Sequence, residues 1–200
     1  MNIKIFKQDI PLTVLARLKT SRSVGWDIET DGLEWQTKKI LLCQVASGTN
    51  VYLVRIENLA PKNLIHLLEN QGVEKVFHHA PFDLKFMVGQ WNARPANIAC
   101  TKIASKILGG EFHSLKYLLS SHLGVEISKE QRLSDWSIDN MTSAQIEYAA
   151  NDAVYLVRLL RVLRRQLRQR KLIHLSKACF DFLPTYVALE VRNFKDVFSY

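Results

Sequence analysis

Apolar residues recur along this chain in two rhythms, every second residue and every third or fourth, and the changes of rhythm outline the elements. Residues 24–30 are apolar and then acidic, which suits a buried strand ending in functional groups. Residues 40–46 and 51–56 read as further strands joined by a hairpin turn, Ser47-Gly48-Thr49-Asn50, and residues 75–79 as a short strand. A helix is expected over 11–18, with Asp9 near its start and Pro11 suited to its first turn. Others are expected over 61–69, 82–91, 101–108 and 114–123, the last stopped by Gly124. The clearest helix starts near Thr142, where Thr142-Ser143-Ala144-Gln145 fits a capping box, and runs to about residue 171. Along it Ile146, Ala149, Ala153, Leu156, Leu160, Leu163 and Leu167 form one apolar stripe. Antiparallel strands followed by alternating helix and strand predict an α/β fold, a mixed sheet flanked by helices. No internal repeat, low-complexity tract or Pro/Gly-rich linker divides the chain, so residues 1–200 read as a single domain.

Composition narrows the classes. With 48% hydrophobic residues in 200, the chain can bury a core. No apolar run of about 18 residues is present, and the first ten residues are charged, so neither a membrane span nor a secretory leader is expected. Cys43, Cys100 and Cys179 are odd in number and far apart, which suits reduced thiols in a cytoplasmic protein. The net charge of +8 favours polyanionic partners such as nucleic acid, although charge alone does not separate a nucleic-acid protein from any other basic one.

The chemistry lies in carboxylates. Asp27-Ile28-Glu29 ends the first predicted strand, and residues i and i+2 of a strand project to the same face. Two acids held together repel unless a cation sits between them. Asp83 opens a predicted helix, where an acid also suits the helix dipole. Tyr148 and Asp152 stand one turn apart on the capped helix, at the edge of its apolar stripe.

In order, spacing and type, Asp27-Ile28-Glu29-Thr30 with Gly32-Leu33, then His78 and Asp83, then Tyr148 to Asp152 resemble the three exonuclease motifs of the DEDD superfamily. The tyrosine, where a sister group has histidine, marks the DEDDy branch. Lys129, Gln131, Ser134-Asp135-Trp136, Gln145 and Tyr148-Ala149-Ala150 are similar to a block of the ribonuclease D family. Residues 100–106, 127–129, 144–150 and 177–184 look like nanoRNase C, a group of short bacterial ribonuclease D relatives without the helical C-terminal (HRDC) domains. The likeness runs from about residue 20 to about 165.

The resemblance implies a ribonuclease H-like mixed sheet of five strands, with a core at about 20–170 and a C-terminal extension packed on it or on a neighbouring subunit. It implies 3′→5′ hydrolysis of very short RNAs, dinucleotides above all, to nucleoside 5′-monophosphates, and assembly into ring-like octamers. Two divalent cations, Mg²⁺ or Mn²⁺, about 3.5–4 Å apart would serve attacking water and leaving oxygen. Asp27 and Asp152 would hold the cation beside the water, Asp27 would bridge to the second, and Glu29 would complete the first site and touch the terminal 3′-hydroxyl. Asp83 would act through an outer-shell water, and Tyr148 would orient the attacking water.

Substrate contacts are expected from Thr30 and from Leu33, which resembles a wedge between terminal bases and equally suits a core position. His78 and Phe82 suit sugar or base contact. Gln131, Ser134 and Trp136 follow from the family block, Trp136 serving packing equally well. His79 stands where many relatives have a smaller residue or Asn. Lys102 and Lys106 are candidates for phosphate contact, and Arg158, Arg161, Arg165 and Arg168 form a basic row open to solvent, phosphate or a subunit. The apolar tail with Phe194, Val197, Phe198 and Tyr200 suggests an interface. Two other readings stay open: trimming of longer RNA or a DNA exonuclease, and a non-catalytic nucleic-acid-binding module.

Overall fold

The computed structural model describes residues 1–57, 60–128, 130–138, 140–194 and 196–198; Lys129 and Tyr200 lie outside them. In chain order the elements are β1 (Asn2–Lys7), α1 (Leu12–Lys19), β2 (Ser23–Thr30), β3 (Ile40–Ser47), β4 (Asn50–Arg55), α2 (Lys62–Leu68), β5 (Glu74–Phe77), α3 (Ala80–Trp91), β6 (Ile98–Cys100), α4 (Thr101–Ile107) and α5 (Leu115–Leu123). A 3₁₀ turn (Glu130–Leu133) then leads to α6 (Ser143–Val154), α7 (Leu156–Gln169) and α8 (Ile173–Val191).

The sheet has six strands, in the order β1-β4-β3-β2-β5-β6, one more than the five expected. β2, β3 and β4 are antiparallel to one another, while β1 joins β4, β5 joins β2 and β6 joins β5 in parallel. Neither edge strand is marked by a long apolar run. β1 alternates Ile3 and Ile5 with Asn and Lys and stays largely exposed, and β6 has only three residues. The hairpin turn is as expected, with Gly48 at φ +60° between β3 and β4.

Period-two alternation puts Trp26, Ile28, Cys43 and Val45 on one face, in a core shared with Leu15 and Leu18 of α1 and Leu64 and Leu67 of α2. The other face carries Leu42, Ala46, Val51 and Leu53 under α6, whose Ala149, Ala150 and Ala153 are buried against them. Burial of this kind contributes about 25 cal/mol per Å² of apolar surface. Ser114 and Gly124 cap α5 at its two ends, and the Thr142–Gln145 capping box opens α6.

Two expectations need correction. The helix expected from Thr142 to about residue 171 is two, broken at Tyr155: α6 packs across β2, β3 and β4, whereas α7 packs over β2 and β5 and against α4 and α5. A single straight rod cannot serve both surfaces, although the leucine stripe continues across the break. Asp9 caps α2 rather than α1. Its carboxylate accepts from the amides of Asn63 (2.7 Å) and Leu64 (3.1 Å), and the helix after Pro11 has no side-chain cap. α8 packs on α3, burying Phe180, Leu183 and Val187. No helix among the described residues is long and apolar enough to cross a membrane.

Candidate active site

The last residues of β2 set the geometry. Its pairing with β5 ends at Gly25, and the Ile28 amide donates instead to the Asp83 carboxylate, which also accepts from its own amide in the first turn of α3. Asp83 is thereby buried, at 3% exposure, beside the Asp27–Glu29 pair. α6 supplies Tyr148 and Asp152. It lies so close to the sheet that a Cβ on Gly25 would sit 2.1 Å from the Ala153 carbonyl oxygen, so only glycine fits there. Carboxylate oxygens of Asp27, Glu29 and Asp152 come within 4.8 Å of one another. Asp83 stands outside that triangle.

Burial, then Asp83, Asp152 and Glu29, hold the Asp27 carboxyl well above the usual carboxylate range. Burial, then Asp152 and Asp83, do the same to Glu29. Asp83 is raised by burial against the pull of its two amide donors. Burial and the neighbouring acids also raise the Tyr148 phenol, which keeps its proton and is hydrogen-bonded to Asp152. Acids this crowded become stable as anions when a cation shares them. The donor set is all oxygen, without sulfur or imidazole, so it fits a hard divalent cation such as Mg²⁺.

Next to the acids lies a cleft of about 640 Å³, lined by Glu29, Thr30, Leu33, Phe82, Ser134 and Trp136 among others. Leu33 is 79% exposed at its wall, so it is not a core leucine. The Thr30 hydroxyl donates to the Gly32 carbonyl and shapes that wall. Trp136 both lines the cleft and packs, buried, against the Tyr148 ring at 6.0 Å. Gln131 is not among the lining residues; its side-chain oxygen accepts from Ser134, which is. Gln145 ties this segment to α6 by donating to the Asp135 carbonyl at 3.0 Å.

The histidines exchange places relative to expectation. His78 pairs its Nδ1 with the Thr101 hydroxyl at 2.8 Å and does not line the cleft, whereas His79 does, stacked on Phe82 at 6.4 Å. Burial, then Lys102, Lys106 and Lys85, hold His79 below the usual imidazole range. The two lysines expected to meet phosphate thus place positive charge around His79, which stacks on Phe82.

Three contributors escaped sequence reasoning. Arg132 and Leu133 line the cleft from the 3₁₀ turn, with Leu133 91% exposed. Gln44 of β3 pairs in register with Asp27, so the two side chains share a face. It is fully buried, and neither its amide nitrogen nor its amide oxygen has a partner among the described residues. A polar residue inside the apolar run of β3 was the available signal.

The comparisons with known proteins agree with this geometry. Residues 2–168 match the model of a 3′–5′ exonuclease family. DNA polymerase I of Aquifex aeolicus is 33% identical over 158 residues, covering 78% of this chain and 26% of that protein. Ribonuclease D of Gluconacetobacter diazotrophicus is 32% identical over 161 residues, 78% of this chain and 40% of that protein. The chain therefore spans about a quarter to two fifths of the length of these curated relatives. Brucella melitensis NrnC, solved bound to pGG, superposes with a TM-score of 0.92 at 33% identity, covering 100% of this chain and 99% of that one. The same protein with bound Mg²⁺ gives 0.91 at 32%, covering 100% of both chains. The chain belongs to the 3′–5′ exonuclease family, on its ribonuclease D side and alongside NrnC.

Proposed function

We propose that this protein is a 3′→5′ exoribonuclease that hydrolyses short oligoribonucleotides, dinucleotides preferred, to nucleoside 5′-monophosphates. The observation that carries the reading is the Asp27–Glu29–Asp152 triangle at the side of a cleft sized for a small molecule. NrnC, which matches over the whole chain and was solved with pGG, supports the substrate class. Asp27, Glu29 and Asp152, with Asp83 behind them, would hold two divalent cations, Mg²⁺ or Mn²⁺. When bound, these supply a more acidic water and offset charge on the leaving oxygen.

The chain's own residues do the rest. Glu29, at the cleft wall, would meet a terminal 3′-hydroxyl, and Leu33 and Phe82 would offer apolar and aromatic surface to unstacked bases. Lys102 and Lys106 would counter phosphate charge. Tyr148, braced by Trp136 and bonded to Asp152, orients the attacking water rather than removing its proton. The three free thiols suit a reducing, cytoplasmic setting, and we extend the proposal to a single domain that assembles into octamers as the nanoRNase C resemblance implies.

The deciding experiment is product release from 5′-labelled RNAs of two to twenty nucleotides with Mg²⁺. Fastest cleavage of the dinucleotide supports the reading; equal or faster trimming of the longest moves the protein to general 3′-end processing. Tyr148→Phe is expected to lower kcat on the dinucleotide by about ten- to a hundredfold, less than loss of an acid. A loss equal to that of Asp152→Ala would make the tyrosine the base. Gln44→Leu is expected to keep or raise the melting temperature, since an unpaired buried amide costs about 1–3 kcal/mol. Its kcat is expected to fall about tenfold if the amide, unpaired here, bonds to Asp27 once a cation is bound. An unchanged kcat would leave Gln44 a packing residue.

A further inference from the structure

The basic row on α7 is not one solvated stripe. Arg161 and Arg168 turn, with Arg164, into a concave site of about 210 Å³ that also receives Arg22 from the turn before β2. Arg158 joins an adjoining hollow that shares Arg22 and Arg161, and Arg165 lines neither. The hollows merge into a groove along α7. From Arg158 to Arg168 it extends about 15 Å at about 1.5 Å per residue.

Glu74 is the only acid lining the first hollow among the described residues, and it is already engaged. It takes Arg164 in a two-pronged pair, Nη1 to Oε2 at 2.8 Å and Nη2 to Oε1 at 2.5 Å, and also accepts from Ser23. Phe180 lies under the same guanidinium at 5.9 Å. Arg164 is therefore a fixed wall whose charge is matched, while the exposed Arg22, Arg161 and Arg168 have no ion-pair partner among the described residues. At the other end Tyr155 carries Arg158 over its ring at 6.0 Å, putting an aromatic beside the guanidinium line.

This groove is not an extension of the cleft. It shares no lining residue with the cleft; from Ser23 at its mouth Asp27 lies four steps along β2, about 13 Å, and Glu29 at the cleft wall six, about 20 Å. A dinucleotide held in the cleft would meet none of the residues that line the groove. A charged track with unmatched arginines and a flanking aromatic is the arrangement that follows a single-stranded phosphate backbone without reading its sequence.

We propose that the Arg22–Arg158–Arg161–Arg168 groove is a second RNA-binding site, which holds the backbone of a strand longer than the one being cleaved. It goes beyond the dinucleotide reading and stands or falls separately from it. Three to four phosphates would lie against the arginines while the acids remain free for another 3′ end.

The test is fluorescence anisotropy of a labelled twenty-nucleotide single-stranded RNA in EDTA, which prevents cleavage, across a series of salt concentrations. Arg161→Ala/Arg168→Ala is expected to weaken binding roughly tenfold at 0.1 M salt. The slope of log affinity against log salt is expected to shrink by about 0.7 for each arginine removed. Arg22→Ala, on a different element, is expected to weaken binding in the same direction, and dinucleotide hydrolysis with Mg²⁺ to stay within twofold of the parent. Both arginines are exposed, so near-UV circular dichroism is expected to match the parent. Three results would each overturn the proposal: unchanged affinity and slope, inorganic pyrophosphate displacing the RNA at an equal molar concentration of phosphate, or a smaller assembly by light scattering in the double variant. The second would leave only a local anion site, and the third would assign the groove to a second copy of the chain.

Discussion

Asp152→Ala is expected to lower dinucleotide hydrolysis by about three orders of magnitude and, with metal removed, to raise the melting temperature. The rate loss follows from the several kcal/mol a bound cation contributes to the transition state, at about 1.4 kcal/mol per tenfold. The stability gain follows from the same cluster. Asp152 raises both Asp27 and Glu29 by repulsion, so removing it relieves two buried acids at once. Initial rates with Mg²⁺ and calorimetry in EDTA read the two effects. A rate within tenfold of the parent would remove Asp152 from the metal site. A lower melting temperature would mean that its contact with Tyr148 outweighs the repulsion.

The metal-free protein is expected to be penalised increasingly by its acids as pH rises from about 4, and divalent cations to reverse this. Asp27, Glu29 and Asp83 all have folded-state pKa values raised above their ordinary ones. The folded state then binds more protons than the unfolded state, and the stability these groups contribute is fully present below the unfolded values and lost as pH climbs toward the folded ones. Other groups slope the opposite way: His79 and His122 are lowered, and the buried Lys75 is lowered to about 7. The clean measurement is therefore a difference. The melting temperature of Asp83→Asn minus that of the parent, in EDTA, is expected to grow between pH 5 and pH 7. Mn²⁺ at about a hundred times its dissociation constant adds about 2.7 kcal/mol, roughly 5–10 °C in a chain of this size. A flat difference with pH would show that Asp83 is ionised throughout.

What could be read from the sequence was whatever is encoded locally. The D-x-E pair needs only the period of a strand, and Tyr148 with Asp152 needs only a capped helix, so both are visible in a window of ten residues. The hairpin at Gly48 and the stop at Gly124 are equally local. What escaped depends on distant partners. β1 is a modest alternation that becomes a strand because β4 offers it an edge. Asp9 looks like the cap of the nearest helix and serves one more than fifty residues on. The turn at Tyr155 leaves the leucine stripe undisturbed, so periodicity does not mark it. His78 and His79 are adjacent and alike, and only the path of the chain into α3 decides which one meets the cleft.

The bare Gly25 in β2 bears on which substitutions this site tolerates. Asp27 lies two residues further along the strand, and Asp152 directly precedes the carbonyl-bearing Ala153 that presses on the glycine. The gap between the two halves of the acid cluster is thus set by backbone meeting backbone, with no side chain between. A single added methyl at position 25 would lever the helix outward and part Asp152 from Asp27 while every acid stayed in place. Transplanting the four acids and the tyrosine onto another scaffold without that glycine would copy the ligands and lose their spacing.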